Sequence, residues 1–104
     1  MHPLIEASRE QIAALCRRHG VSRLDVFGSA LREDFDAAQS DFDAVVEFAP
    51  VGPGSALSRY FDLKSQLEAL LLRPVDLIEL TAMPESRLKR IIERSKVPLY
   101  AAAA

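Results

Sequence analysis

Residues 41–48 read DFDAVVEF, and this alternation of polar and apolar side chains decides the fold. Successive side chains of a β-strand point to opposite faces, so a period of two predicts a strand with one apolar face. The apolar face carries Phe42, Ala44, Val46 and Phe48, and the opposite face carries Asp41, Asp43, Val45 and Glu47. The segment therefore predicts a half-buried strand whose second face holds three carboxylates.

The residues that follow this strand predict a helix and then a second strand. After a break rich in proline and glycine, Ser55 is suited to cap a helix that continues to about Leu72. Its apolar positions include Leu57, Phe61, Leu67, Leu70 and Leu71. Pro74 ends the helix, and residues 75–80 are rich in valine, leucine and isoleucine, which favour strands. This order of strand, helix and strand predicts a crossover unit with two parallel strands.

The flanking segments add helices and strands. Residues 5–19 show the period of an amphipathic helix, Gly20 suits its C-terminal cap, and residues 21–27 predict a strand that ends at Gly28 and Ser29. A short helix over 30–35 and a loop over 36–40 come next. A last helix opens at residues 83–84 with Leu88, Ile91 and Ile92 on its inner side, and residues 97–100 predict an edge strand. We expect an α/β (α+β) fold with a small mixed sheet of three to four strands flanked by helices.

Length and composition exclude several classes of protein. With 104 residues, 49% of them hydrophobic and 27% charged, the chain predicts one globular domain over 1–100 and a disordered alanine tail over 101–104. No apolar stretch approaches the length of a membrane span, and no secretory segment follows Met1, so we expect a cytoplasmic protein. Cys16 is the only cysteine, which excludes an internal disulfide and predicts a buried thiol.

Charge is unevenly distributed although the net charge is only −2. From Asp25 to Glu47 there are seven acidic residues and one basic residue, Arg32. From Pro84 to the end, five basic residues stand against two acidic ones; the basic residues are Arg87, Lys89, Arg90, Arg94 and Lys96. This basic helix suits either a solvated face or contact with an acidic partner or a nucleic acid. The near-neutral net charge argues against general nucleic-acid binding.

The two aspartates at the start of the central strand are candidates for metal binding. Asp41 and Asp43 are two residues apart on one face, with Cα atoms about 7 Å apart, so both can reach one ion. Magnesium is commonly held by one or two carboxylates together with substrate phosphates. A solvated strand face also explains such a pair, so the pair alone does not decide between these interpretations.

Two further features favour the metal site. Gly28 and Ser29 lie between a strand and a short helix, where free backbone N–H groups and a serine hydroxyl are suited to bind phosphate. Asp76 interrupts an apolar run in the strand predicted over 75–80. A buried acid at this position would need a cation or a metal, whereas an exposed one at a strand end would need no partner.

Together these segments resemble a known family. The runs Phe27-Gly28-Ser29-Ala30, Ser40-Asp41-Phe42-Asp43 and Pro74-Val75-Asp76-Leu77 are similar to those of the minimal nucleotidyltransferases (MNT) of the DNA polymerase β-like superfamily. The resemblance covers nearly the whole chain and implies the polymerase β-like nucleotidyltransferase fold.

The resemblance also implies roles for individual residues. Gly28 and Ser29 would bind the nucleotide phosphates, Asp41 and Asp43 would ligate two Mg²⁺ ions, and Asp76 would complete the metal site and orient or deprotonate the attacking hydroxyl. Asp41, Asp43 and Asp76 are thus the implied catalytic residues, and ATP is the implied substrate.

The partner implied by the resemblance is a protein. Chains of this family and size act as antitoxins of a HEPN-domain ribonuclease toxin, in some cases by adenylylating a tyrosine of that toxin, so a hetero-oligomer is expected. The alternative is a weak or inactive enzyme that neutralises its partner by binding alone. It rests on the spacer of eleven residues from Ala30 to Ser40, one longer than the usual pattern, and on Glu33, where many relatives carry glycine. Transfer to a small molecule ranks last.

Overall fold

The structure is a computed structural model that describes residues 2–28 and 41–102. The helices are α1 (Pro3–Ala7), α2 (Arg9–Arg18), α3 (Ala56–Leu71) and α4 (Arg87–Ser95), with a 3-10 turn at Leu80–Ala82. The strands are β1 (Val21–Phe27), β2 (Phe42–Phe48), β3 (Val75–Ile78) and β4 (Val97–Ala101). The short helix predicted over 30–35 and the loop over 36–40 lie outside the described residues.

The four strands form one mixed sheet in the order β3-β2-β1-β4. β1 pairs antiparallel with both β2 and β4, whereas β2 and β3 are parallel and α3 connects them. The predicted mixed sheet and its crossover unit are therefore confirmed. Because β2 and β1 occupy the two central positions, side chains that leave them on one face are neighbours in the middle of the sheet.

The hydrophobic core lies on one face of this sheet, beneath the first three helices. Phe42 and Leu24 of the sheet are fully buried against Ile12 of α2 and Leu63 of α3, in one continuous cluster with Ile5 of α1. The period of two in β2 explains this arrangement, since Phe42, Ala44 and Val46 all point into the cluster. The aspartates of β2 therefore lie on the opposite face.

The first helix differs from the sequence prediction, because it is divided at Ser8. The Ser8 N–H donates to the Ile5 carbonyl at 3.1 Å, and the Ser8 carbonyl accepts from the Ile12 N–H at 2.9 Å, so Ser8 ends α1 and begins α2. Serine is a weaker helix former than alanine or leucine, which suits it to such a boundary. Gly20 follows α2 with φ +67, as the capping prediction requires.

Helix α3 begins as predicted, with Ser55 Oγ accepting from the Ser58 N–H at 3.1 Å. Two of its predicted apolar positions, Leu57 and Phe61, are nevertheless exposed. Leu63, Leu67 and Leu71 are buried in the core, and the half-buried Leu70 packs against it. Leu57 and Phe61 line an open groove whose other side is formed by the end of β3 and the 3-10 turn.

The last third of the chain also differs in detail. The strand predicted over 75–80 ends at Ile78, and the 3-10 turn follows. Helix α4 begins at Arg87 rather than at residues 83–84, because Ser86 Oγ caps it by accepting from the Lys89 N–H at 3.1 Å. Leu88 and Ile91 are 58% and 50% exposed, so the prediction that they lie on the inner side is wrong, and only Ile92 is buried.

The C-terminal strand extends further than expected. β4 runs to Ala101, and the Ala102 N–H donates to the Ser22 carbonyl at 2.9 Å, so two alanines of the predicted tail are hydrogen-bonded to β1. Residues 103 and 104 lie outside the described residues. In the part of the chain that the structure describes, no helix is both long and apolar enough to cross a membrane.

Cys16 of α2 is fully buried, as predicted, and burial raises the pKa of its thiol to about 12. Since only the thiolate reacts, we expect the native chain to react with a disulfide reagent at mildly alkaline pH at least about 100-fold more slowly than the unfolded chain. Absorbance of the released thiol reagent, followed with and without denaturant, measures both rates. Equal rates would contradict the buried position of Cys16.

Candidate functional site

Asp41 and Asp43 lie at the start of β2, on the face of the sheet away from the core. Phe42 between them is fully buried, so the strand alternation directs both aspartates to the other face. Asp41 is exposed, and Asp43 is half-buried. Asp41 and Asp43 therefore share one face of the sheet, as the sequence predicts.

Asp76 lies beside Asp43 on the neighbouring strand. The two residues are register partners in the parallel pair of β2 and β3, which places their backbones about 4.8 Å apart. Val75 and Leu77 on either side of Asp76 are buried, so Asp76 points to the same face as Asp43. Asp76 is exposed, so burial does not argue for a bound cation. Its place in the candidate site rests instead on its pairing with Asp43.

Gly28 closes the site on the other side of Asp43. It ends β1 directly after Phe27, the register partner of Asp43, and has φ +72, a conformation that favours glycine. A Cβ atom placed on Gly28 would lie 2.5 Å from Asp43 Oδ2. Only glycine therefore leaves room for the Asp43 carboxylate at this position. Ser29, the other predicted phosphate ligand, lies outside the described residues.

The structure thus brings together Gly28 at the end of β1, Asp43 of β2 and Asp76 of β3, on three neighbouring strands. Asp41 lies two residues before Asp43. Within residues 2–28 and 41–102, no three acidic, histidine or cysteine side chains converge tightly enough to form a metal site by themselves. An array of one or two carboxylates completed by phosphate oxygens and water is the usual way in which proteins hold Mg²⁺. Asp41, Asp43 and Asp76 offer only oxygen donors, which fit such an ion.

Tyr60 of α3 lies close to this acidic edge, although no sequence motif surrounds it. Its hydroxyl donates to the Leu77 carbonyl at 2.6 Å. Burial raises the pKa of Tyr60, and the nearby carboxylates of Asp76 and Glu79 raise it further. Beside Tyr60, a groove of about 550 Å³ opens between α3 and the end of β3. Its lining includes Leu57 and Phe61 and is mainly apolar.

A buried ion pair supports the same face of the sheet, and the sequence offered no local signal for it. Asp25 of β1 is 2% exposed. Arg23 Nε donates to both of its carboxylate oxygens at 2.9 and 3.0 Å, and Lys96 Nζ lies 3.0 Å from Asp25 Oδ2. Lys96 follows α4, so the pair fixes the junction of α4 and β4 to the centre of the sheet.

Two other charged residues noted in the sequence, Glu47 and Arg32, add nothing to the site in the part of the chain that the structure describes. Glu47 shares the face of Asp43 but lies exposed towards the other end of β2, consistent with a solvated strand residue. Arg32 lies outside the described residues.

Comparisons with known proteins agree with this geometry. A family model described as "Nucleotidyltransferase domain" matches residues 8–99. A relative from Methanocaldococcus jannaschii, named "Putative protein adenylyltransferase", is 35% identical over 74 residues, which cover 71% of this chain and 75% of the relative.

Solved structures show the same fold. A chain described as a "putative minimal nucleotidyltransferase" is 36% identical and superposes with a TM-score of 0.67 over 90% of this chain and 91% of that chain. The "toxin-antitoxin MntA-HepT" structure is 20% identical, with a TM-score of 0.63 over 93% of this chain and 73% of that chain. A "toxin-antitoxin with AMP-PNP" is 21% identical, with a TM-score of 0.64 over 90% and 73%.

The match of the family model to most of the chain, together with the register of Asp43 and Asp76 beside Gly28, agrees with the family resemblance of the sequence. The chain therefore belongs to the nucleotidyltransferase domain family, as one of its minimal members.

Proposed function

We propose that this chain transfers AMP from ATP to a hydroxyl group of a partner protein, in a reaction that depends on Mg²⁺. The observation that carries the proposal is the pairing of Asp43 with Asp76 on adjacent parallel strands, next to a glycine that leaves room for the Asp43 carboxylate. These are the parts that phosphoryl-type transfer needs, since its catalysis consists mainly of positioning and charge stabilisation.

Each residue has a role in this proposal. Gly28, with Ser29 after it, binds the phosphates of ATP, because its backbone can approach them without a side chain in the way. Asp41, Asp43 and Asp76 would hold two Mg²⁺ ions. When bound, these ions would neutralise phosphate charge and stabilise the attacking and leaving oxygens of an in-line displacement. Asp76 lies at the sheet edge, where it can orient the acceptor hydroxyl and accept its proton.

The reaction balances without a further reagent. The acceptor oxygen forms a bond to the α-phosphorus of ATP, and the bond between that phosphorus and the oxygen leading to the β-phosphate breaks. Pyrophosphate leaves, AMP remains on the acceptor, and the proton of the hydroxyl passes to a carboxylate such as Asp76 and then to solvent. The products are an adenylylated protein and pyrophosphate.

We further propose that the acceptor is a tyrosine of a HEPN-domain ribonuclease toxin, which makes this chain its antitoxin and the two chains a hetero-oligomer. Three findings support this partner: the residue pattern of the MNT family, the adenylyltransferase name of the Methanocaldococcus jannaschii relative, and the toxin–antitoxin complexes among the structural neighbours, one of which holds AMP-PNP. The exposed position of Asp76 leaves the site open to a macromolecular acceptor.

The direct test incubates the purified chain with ATP labelled at the α-phosphate, magnesium chloride and the HEPN-domain toxin proposed as its partner. We expect label on the HEPN protein, removal of that label by a phosphodiesterase, and a tyrosine as the modified residue in mass spectrometry. A tight complex without label would instead support the alternative in which the chain neutralises its partner by binding alone. Omission of magnesium is the control and should abolish labelling.

A Gly28→Ala chain tests the space beside Asp43. At φ +72 an alanine costs about 1 kcal/mol of stability, and its Cβ would lie 2.5 Å from Asp43 Oδ2, so the carboxylate must move. Because a displacement of about 1 Å at a reacting centre can cost about 100-fold in rate, we expect AMP transfer to fall at least tenfold. Label transfer and chemical denaturation measure the two effects.

The matched control for that variant is Gly54→Ala. Gly54 has φ +67, and the nearest atom to an added Cβ is the flexible Ser58 Oγ, in the break before α3. It therefore has the same backbone cost without any contact to Asp43. If Gly28→Ala and Gly54→Ala chains transfer AMP at the same rate, the proposed role of Gly28 is wrong.

A further inference from the structure

Helix α4 exposes a row of three arginines. Arg87, Arg90 and Arg94 follow the i, i+3, i+7 spacing of one helix face, and together with Ile91 they line a hollow of about 270 Å³. Leu88 lies one helical turn before Ile91, and both side chains are at least half exposed. We call these five residues, Arg87, Leu88, Arg90, Ile91 and Arg94, the α4 surface.

Within residues 2–28 and 41–102, the three arginines differ from Lys89 and Lys96 in having no acidic partner. Lys89 pairs with Glu85 at 2.9 Å, and Lys96 pairs with Asp25 at 3.0 Å. Among the residues that the structure describes, none forms an ion pair or hydrogen bond with the guanidinium groups of Arg87, Arg90 or Arg94. Like charges at this spacing repel one another, so a bound anionic group would stabilise the row.

The α4 surface is connected to the end of the sheet that carries the functional site. Lys96 follows α4 and bonds to Asp25, and Val97 at the start of β4 pairs with Val26 of β1. Gly28 comes only two residues after Val26. The C-terminal end of α4 therefore lies next to the end of β1 that leads to Gly28, so a macromolecule bound to the α4 surface would approach the site from this side.

The composition of the α4 surface favours a protein over a nucleic acid. Arginine beside exposed aliphatic side chains is typical of protein interfaces, in which arginine is enriched at the residues that contribute most to binding. Single-stranded nucleic acids are usually bound by basic residues interleaved with aromatic side chains that stack on bases, and α4 has no aromatic residue. Leu88 and Ile91 would contact an apolar side chain of the partner.

We propose that the α4 surface is the docking site for the protein that receives AMP, and that this protein presents an acidic face with glutamate or aspartate side chains opposite Arg87, Arg90 and Arg94. The inference rests on the proposed function, because it takes the acceptor to be a separate protein. Complementary charge would then guide the partner towards the site and hold it there.

The test measures the dissociation constant between this chain and its proposed HEPN-domain partner by biolayer interferometry. The triple variant Arg87→Glu/Arg90→Glu/Arg94→Glu should bind about 30-fold or more weakly than wild type, and Arg87→Gln/Arg90→Gln/Arg94→Gln should lie between the two. Raising the salt concentration should weaken wild-type binding more than binding by the glutamine variant. Circular dichroism melting confirms that both variants fold.

The control is Arg17→Glu/Arg18→Glu, which reverses two exposed arginines at the end of α2 and should leave the dissociation constant within about twofold of wild type. In the transfer assay, the triple glutamate variant should raise the KM for the partner while kcat at saturating partner stays unchanged, since no α4 residue contacts the reacting atoms.

The possible failures can be told apart. If wild type forms no complex with the HEPN protein, the proposed partnership is wrong and the inference falls with it. If the complex forms but its dissociation constant is the same for the triple variant, the inference alone is wrong. Binding of a fluorescent single-stranded RNA that the triple variant loses, with unchanged partner binding, would assign the α4 surface to RNA and also overturn the inference.

Discussion

An Asp43→Asn chain is expected to fold like wild type and to transfer AMP more slowly by a factor on the order of a thousand. Asparagine has nearly the same shape as aspartate, so the space beside Gly28 and the strand pairing stay as they are. The substitution removes the negative charge that Mg²⁺ binding requires, and with it the ion's contribution of several kcal/mol to the transition state. Initial rates of label transfer at saturating ATP and partner measure this loss.

Two companion variants decide whether the loss belongs to the site. Glu47→Gln removes a carboxylate from the same face of β2 but towards the opposite end of the strand, and it should change the rate by no more than about twofold. Asp41→Asn should resemble Asp43→Asn. Thermal melting of each variant should stay within about 3 °C of wild type. Undiminished transfer by the Asp41→Asn/Asp43→Asn double variant would refute the proposed function.

The pairing of Asp43 with Asp76 could be anticipated from the sequence because it depends on local rules. Alternation fixes which face an aspartate leaves, and a strand, helix and strand in succession favour a parallel pair. Phe42 and Val75, buried at the starts of β2 and β3, are register partners, and this brings the two aspartates side by side one residue later. The sequence cannot establish the register itself, which depends on how the two strands pack beneath α3.

The outward positions of Leu88 and Ile91 could not be anticipated in the same way. Helical periodicity shows that apolar side chains share a face, but the width of the buried part depends on what packs against the helix. α4 contacts the rest of the chain mainly through Ile92, so the predicted inner side is only partly covered. The same holds for Leu57 and Phe61 at the start of α3. Such departures from the expected pattern are typical of surfaces that bind a partner.

The burial of Asp25 could not be predicted from the sequence either, because its partner Lys96 is 71 residues away along the chain. In the alternating segment of residues 21–27, an aspartate is typical of a solvated face. The 3-10 turn and Lys96 cover that face instead, and Leu80, Thr81 and Lys96 line a small hollow with Asp25. Burial of a carboxylate is tolerable only if cations compensate its lost hydration, which Arg23 and Lys96 both do.

The double variant Arg23→Met/Lys96→Met is therefore expected to lower the free energy of unfolding by about 3–5 kcal/mol, because it leaves the Asp25 carboxylate buried without a cation. Methionine keeps most of the aliphatic length of both side chains, so packing changes little. Urea denaturation followed by circular dichroism measures the loss. Lys64→Met, which breaks a half-buried pair with Glu68 of 3.9 Å near the surface, is the control and should cost less than about 1 kcal/mol.

A third substitution identifies charge as the cause of that instability. Asp25→Asn in the background of the double variant removes the uncompensated charge while keeping the volume of the side chain, so it should restore most of the lost stability. The same substitution in wild type should instead destabilise the chain, because it weakens the bonds that Arg23 and Lys96 make to a full negative charge. This reversal of sign between the two backgrounds is specific to an ion pair. If Asp25→Asn destabilises both backgrounds equally, the side chain serves packing alone, and Lys96 does not fix α4 and β4 to the sheet through its charge.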